Sequence, residues 1–281
     1  MTVVSRCAAA MIVAVVATLL TGCAVDELAP RSDPTRTSSS SARTSAPDTA
    51  LSVVGLGDSI PGGLGCAAPC RPYVEVYGDL AAAALGRSVV ATNLASNSGL
   101  ESGQLLKRVK SEPAYRDAVA KADVVTLTVG FNDWQGRCTS ATAKKCLKRG
   151  REKVRQNLDG ILQQIASLRA GRPTAVRVTG YYNMNIGNPN TPEEWDFADT
   201  PAKRAAFEKT FAAALAEFNT MTCEVAQANG AVCVDLVPAI NGSRGDQDAG
   251  DLLGPDHLHP SEAGHARIAN AIGAVGYAPL G

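Results

Sequence analysis

All three histidines of the chain, His257, His259 and His265, fall in one nine-residue stretch, "HLHPSEAGH". A serine hydroxyl at neutral pH needs an adjacent base before it attacks a carbonyl, and that base is most often histidine. In this chain only that stretch can supply one. Asp256 stands three residues before His259. That spacing lets one short turn set a carboxylate beside the imidazole, fixing its tautomer and stabilising the imidazolium. His265 falls inside a helical pattern, where a surface or packing role is expected. The candidate hydroxyl comes much earlier, in "VVGLGDSIPGG", where an apolar run stops at Gly57-Asp58-Ser59. Gly, Asp, Ser and Pro also make ordinary turns, so Ser59 needs further pieces before it reads as a nucleophile. Asp256, His257 and His259 have the types of a metal set, but a fourth ligand is missing and the serine is left without a task.

The elements that must bring these residues together are legible as alternating patterns. Five short, β-branched apolar runs read as buried strands: Leu51–Leu56, Ser88–Leu94, Asp123–Val129, Thr174–Thr179 and Ala231–Leu236. Between and after them lie helical patterns at Tyr73–Leu85, a broken Ser102–Lys121, Cys146–Arg169, Pro201–Asn229 and Ser261–Val275. Strands alternating with helices imply right-handed crossovers and a parallel sheet covered on both faces. The expected fold is α/β: a three-layer α/β/α sandwich on a five-stranded parallel, flavodoxin-like sheet. Ligands of such sheets sit at the carboxyl ends of the strands. Ser59 follows the first run, "NLASNSGLES" with Gly99 the second, "VGFNDW" with Asn132 the third, and "DHLHP" the fifth.

Taken in order, Ser59 in "GDSI", Gly99 in "NSGLES", Asn132 in "GFND" and Asp256 with His259 in "DHLHP" resemble the four blocks of the SGNH, or GDSL-type, hydrolases. Ile60 replaces the leucine of the first block. The resemblance implies that Ser59 attacks an ester carbonyl, with His259 as base and Asp256 as its orienting acid. It further implies that the backbone N–H groups of Ser59 and Gly99 and the Asn132 amide form an oxyanion hole. Glycine at 99 lets backbone approach substrate closely, and the asparagine amide donates without carrying charge. Asp58 and Asp133, inside the motifs, are expected to orient loops. Tyr181, Tyr182 and Trp195 are expected to pack or line the rim, and specificity to reside in loops 60–72, 137–146 and 182–200.

The N-terminus carries a different signal. Arg6 precedes an apolar run from Cys7 to Leu20 that ends in "LTGC". That run is short for a membrane span, which needs nearer ~20 residues, and suits a secretory segment. "LTGC" resembles a bacterial lipobox, which implies cleavage before a lipid-carrying Cys23. Residues 1–22 then form a lipoprotein signal, 23–50 a Ser/Thr/Pro-rich tether, and 51–281 the hydrolase domain. The setting expected is the bacterial cell envelope, with the membrane a partner through the anchor. In an oxidising compartment the remaining cysteines read as disulfides. They form the sequence-near couples Cys66/Cys70, Cys138/Cys146 and Cys223/Cys233, although six cysteines permit 15 pairings.

Composition sets outer limits. Lys+Arg and Asp+Glu both number 27, and aromatic residues are 5%. No net field favours nucleic acid, and no aromatic platform stacks bases. No cofactor and no metal is expected; a monomer acting on an ester substrate is. Two rival readings share the residues: acyl transfer from the same triad, and a non-catalytic envelope-binding lipoprotein on the hydrolase fold.

Overall fold

A computed structural model describes residues 50–133, 143–190 and 200–281 of the 281-residue chain. Five parallel strands, β1 (Leu51–Gly57), β2 (Val89–Asn93), β3 (Val124–Thr128), β4 (Ala175–Thr179) and β5 (Val232–Val234), lie in the order β2-β1-β3-β4-β5. This is the doubly wound order in which the chain reverses direction between β1 and β3, opening a crevice there. The runs are strands because they are β-branched and short, and the central ones have both faces covered. Val53, Val54, Leu56, Val124, Val125 and Leu127 are fully buried. The outer strands depart from that expectation. β2 and β5 are edges, and Val90 on β2 is 57% exposed.

The helices are α1 (Ser59–Gly62), α2 (Tyr73–Leu85), α3 (Ser102–Ser111), α4 (Pro113–Lys121), α5 (Ala143–Arg169), α6 (Pro201–Ala228), α7 (Val237–Asn241) and α8 (Glu262–Ala274). The break in the Ser102–Lys121 pattern is Pro113, the first residue of α4, where a missing N–H costs nothing. Helices α2 and α8 pack together on one side of the sheet, and α3 to α6 pack on one another on the other side. That makes three layers, and all described residues belong to one compact unit. His265, on α8, is fully buried, and its Nδ1 accepts the Tyr73 N–H at the start of α2. Thus a histidine from the last helix satisfies one of the donors that α2 leaves open at its N-terminus.

Two glycines make the sheet's upper edge usable as a site. Gly57 ends β1 at φ 137°, and a Cβ there would stand 1.9 Å from the Thr128 carbonyl oxygen. Only glycine lets β1 turn toward Ser59 while lying against β3. Gly130 follows β3 at φ 125°, wedged against Val154 and Phe218, and starts the turn that carries Asn132.

Two of the three expected disulfides lie within the described residues: Cys66–Cys70 and Cys223–Cys233 are bonded. Cys146 is also disulfide-bonded. Cys138, Trp134 and Trp195 lie outside the described residues, as do residues 1–49 with Cys23. Among the described residues no helix is long and apolar enough to cross a membrane.

Candidate active site

The first turn of the site is built by Asp58. Its Oδ1 accepts the Ile60 N–H at 3.1 Å, capping α1 and presenting Ser59 at the helix's first position. The loop after β2 is fastened to this turn: the Ser96 N–H donates to the Gly57 carbonyl, and Asn93 Nδ2 donates to the Pro61 carbonyl at 2.7 Å. This brings Gly99 alongside. A Cβ added at Gly99 would meet only the Asn132 amide, at 3.7 Å, so no protein atom demands glycine there.

The turn after β3, Phe131–Asp133, is pinned on both sides of Asn132. Asp133 is buried and accepts from the Ser102 N–H and hydroxyl, each at 2.9 Å, with Lys153 Nζ 3.4 Å away. The Phe131 N–H donates to the Tyr181 hydroxyl at 3.2 Å. Asn132 itself uses one amide hydrogen on the Leu100 carbonyl at 3.1 Å, leaving the other to aim elsewhere. Among the described residues no acceptor faces the backbone N–H of Ser59 or of Gly99.

The acid and the imidazole come from the loop before α8. Asp256 Oδ1 accepts the Leu258 and His259 N–H groups, each at 3.0 Å, while Oδ2 lies 2.6 Å from His259 Nδ1. Burial pushes the Asp256 carboxyl up, but those N–H groups and the His259 ring outweigh it and hold it below the usual carboxylate range. An ionised Asp256 makes Nδ1 the protonated nitrogen, so Nε2 has a lone pair, and Nε2 lies 2.9 Å from Ser59 Oγ. The structure therefore brings Ser59, His259 and Asp256 into one line, with Asn132 on the rim of the same cleft. Ile60, Phe131, Met184 and Leu258 give the cleft apolar walls.

His257 is exposed and holds its backbone at φ 53°. Among the described residues the one group with metal-ligand spacing is Cys66, Cys70 and His265, not Asp256 with its histidines. In that group the two sulfurs are bonded to each other, and His265 Nδ1 accepts the Tyr73 N–H.

Two residues given only a packing or rim role by the sequence do more. Tyr181 and Tyr182 are both buried. The Tyr181 hydroxyl donates to Asp58 Oδ2 and accepts from Phe131, so it ties the Ser59 turn to the Asn132 turn. The Tyr182 hydroxyl donates to the Leu258 carbonyl at 2.7 Å, beside His259. The available signal was positional: both residues follow β4, the one strand whose carboxyl end carries no recognised motif.

Residues 56–267 match the GDSL-like lipase/acylhydrolase family profile. No curated protein matches the chain. Among solved structures, the lipase Lip_vut3 from a goat rumen metagenome is similar at TM-score 0.64 and 22% identity, covering 82% of this chain and 100% of that one. An extracellular lipase from Streptomyces rimosus is similar at TM-score 0.54 and 20% identity, covering 80% and 99%. At these identities the two structures speak to the fold.

Proposed function

This chain belongs to the GDSL-like lipase/acylhydrolase family and is an ester hydrolase, and from that premise we propose that it is a serine esterase of the cell envelope with Ser59, His259 and Asp256 as its triad. The observation that carries the reading is the unbroken relay from Asp256 Oδ2 to His259 Nδ1, 2.6 Å, and from His259 Nε2 to Ser59 Oγ, 2.9 Å. In this reading Ser59 Oγ attacks the ester carbonyl as its proton passes to Nε2. Negative charge forms on the former carbonyl oxygen, where the Ser59 and Gly99 N–H groups and the free Asn132 amide hydrogen receive it. The tetrahedral species collapses, and the alcohol leaves with the proton from Nε2. Water then repeats the sequence on the acyl-enzyme, restoring Ser59 and releasing the acid.

The apolar walls of Ile60, Phe131, Met184 and Leu258 suit the acyl group. Placement at the envelope rests on the lipobox-like "LTGC" ending at Cys23 and on the Ser/Thr/Pro-rich residues 24–50, which suit a tether. The test is a panel of esters of graded acyl length, acetylated sugars included, with and without an added alcohol acceptor. Free acid as the main product supports hydrolysis. A new ester formed in preference to acid would assign acyl transfer, and no turnover of any ester would count against the enzyme reading.

A further inference from the structure

Four of the five strands deliver a recognised piece of the site, and β4 delivers none; yet the segment after it, residues 181–190, reaches the turns of Ser59, Asn132 and His259 alike. Its grip on the acid–histidine turn is systematic. Three consecutive carbonyls of that turn are each taken by a side chain of this loop: Asp256 by Asn190 Nδ2 at 3.3 Å, His257 by Asn188 Nδ2 at 3.3 Å, and Leu258 by the Tyr182 hydroxyl at 2.7 Å. The turn's N–H groups face the other way. Those of Leu258 and His259 go to Asp256 Oδ1, and that of His257 goes to the Gly254 carbonyl.

We propose that the β4 loop is a positioning loop, in which Tyr182, Asn188 and Asn190 set Asp256 against His259 by holding the backbone between them. The need for such a hold is visible in the acid itself. The Asp256 side chain is 43% exposed, so packing does not fix it, and the adjacent His257 sits at φ 53°, outside the range a histidine prefers. The loop is rigid enough for the task. Tyr182 is fully buried and Asn188 is 3% exposed. Asn183 exchanges two hydrogen bonds with Asn241, at 2.8 and 3.0 Å, and Asn219 brackets the Tyr181 backbone from both sides at 2.9 and 2.7 Å. Neutral asparagines suit this because they offer donors beside an ionised acid without adding charge to it.

This inference rests on the reading of Asp256 and His259 as catalytic, and a double-mutant cycle separates the two. Tyr182→Phe removes one hydroxyl from the buried ring. It is expected to lower kcat about tenfold with KM within about twofold, because only the alignment of the base changes. In an Asp256→Asn background the same substitution is expected to have no further effect on kcat, since the alignment it protects is already gone. Asn190→Ala, on a less buried residue, gives the same cycle independently should Tyr182→Phe fail to fold. A Tyr182→Phe enzyme with wild-type kcat, or one whose loss is undiminished in the Asp256→Asn background, would overturn the positioning role and leave the triad standing. An Asp256→Asn enzyme with wild-type kcat would overturn the triad reading, and this inference with it.

Discussion

Asp58 and Tyr181 lie 123 residues apart in sequence and meet beneath the site: the tyrosine hydroxyl donates to Oδ2 of a carboxyl group that is 1% exposed. The same hydroxyl accepts the Phe131 N–H, so one atom joins the turn of Ser59 to the turn of Asn132. Burial pushes the Asp58 carboxyl up to about 7, against the lowering effect of Tyr181 and the Ile60 N–H, with Asp133 adding to the rise.

That pairing sets a pH signature on stability. Because Asp58 holds its proton in the fold up to about 7, the native state binds more protons than the unfolded chain above the ordinary value of 3.8. Its contribution therefore falls as pH rises from about 4 to about 7. His265 acts in the opposite sense: burial, and then the His259 charge, lower it to about 4, so its contribution is lost as pH falls from 6.5 to about 4. Each effect is on the order of a few kcal/mol at about 1.36 kcal/mol per unit, and the two oppose each other over an overlapping pH range. Urea unfolding of Asp58→Asn is expected to gain stability relative to wild type as pH rises across that window. A difference that stays flat with pH would contradict the buried-acid assignment.

How much of this was legible beforehand differs by residue. The strands were readable because β-branched apolar runs such as Val53–Leu56 and Val124–Val129 have few alternatives. Ser59 and Asn132 lie just past strands, where ligands bind, and Asp256 with His259 was readable from its own short spacing in the loop before α8. The four-residue α1 was hidden inside a turn signature, since Asp58 caps it with the same chemistry that makes an Asx-turn. Arg177 shows the limit of an apolar pattern. It sits inside β4, 1% exposed, and its guanidinium donates to the Gly276 and Ala278 carbonyls of the C-terminal segment. Tyr181 and Tyr182 could not be assigned from spacing, because their partners are brought to them by the sheet. The asparagines at 183, 185, 188 and 190 were the unread signal, a polar series in a segment three of whose four members are buried.

Removing the side-chain donor tests the oxyanion hole. Asn132→Ala is expected to lower kcat by about 10²–10³, or roughly 2.7–4 kcal/mol, with little change in KM. The fold should persist, since the substitution removes a single hydrogen bond, to the Leu100 carbonyl, from a turn that Phe131 and Asp133 hold on either side. Wild-type turnover would make the amide structural.

The disulfides have a covalent readout. Peptide mapping of the unreduced chain should return Cys66–Cys70 and Cys223–Cys233, and link Cys138 to Cys146. The Cys66–Cys70 loop spans only four positions, so Cys66→Ala with Cys70→Ala should cost about 2–3 kcal/mol or less. A Cys66–Cys138 peptide would refute local pairing without touching the site.

Anchoring is tested at Cys23. The full chain should partition with membranes, since two or more acyl chains hold stably where one does not. Cys23→Ala should release it or block its processing. Unchanged processing and membrane association in that variant would remove the lipoprotein reading.

The central claim is that Ser59 is the nucleophile and His259 activates it. Its most direct test is reaction of the full chain with a fluorophosphonate, followed by location of the adduct in a digest. One adduct per chain is expected, on the peptide containing Ser59, with ester hydrolysis lost in step with its formation. Ser59→Ala should not be labelled, and labelling of His259→Ala should be strongly slowed. Inactivation with Ser59 unmodified, or hydrolysis by Ser59→Ala at the wild-type rate, would contradict it.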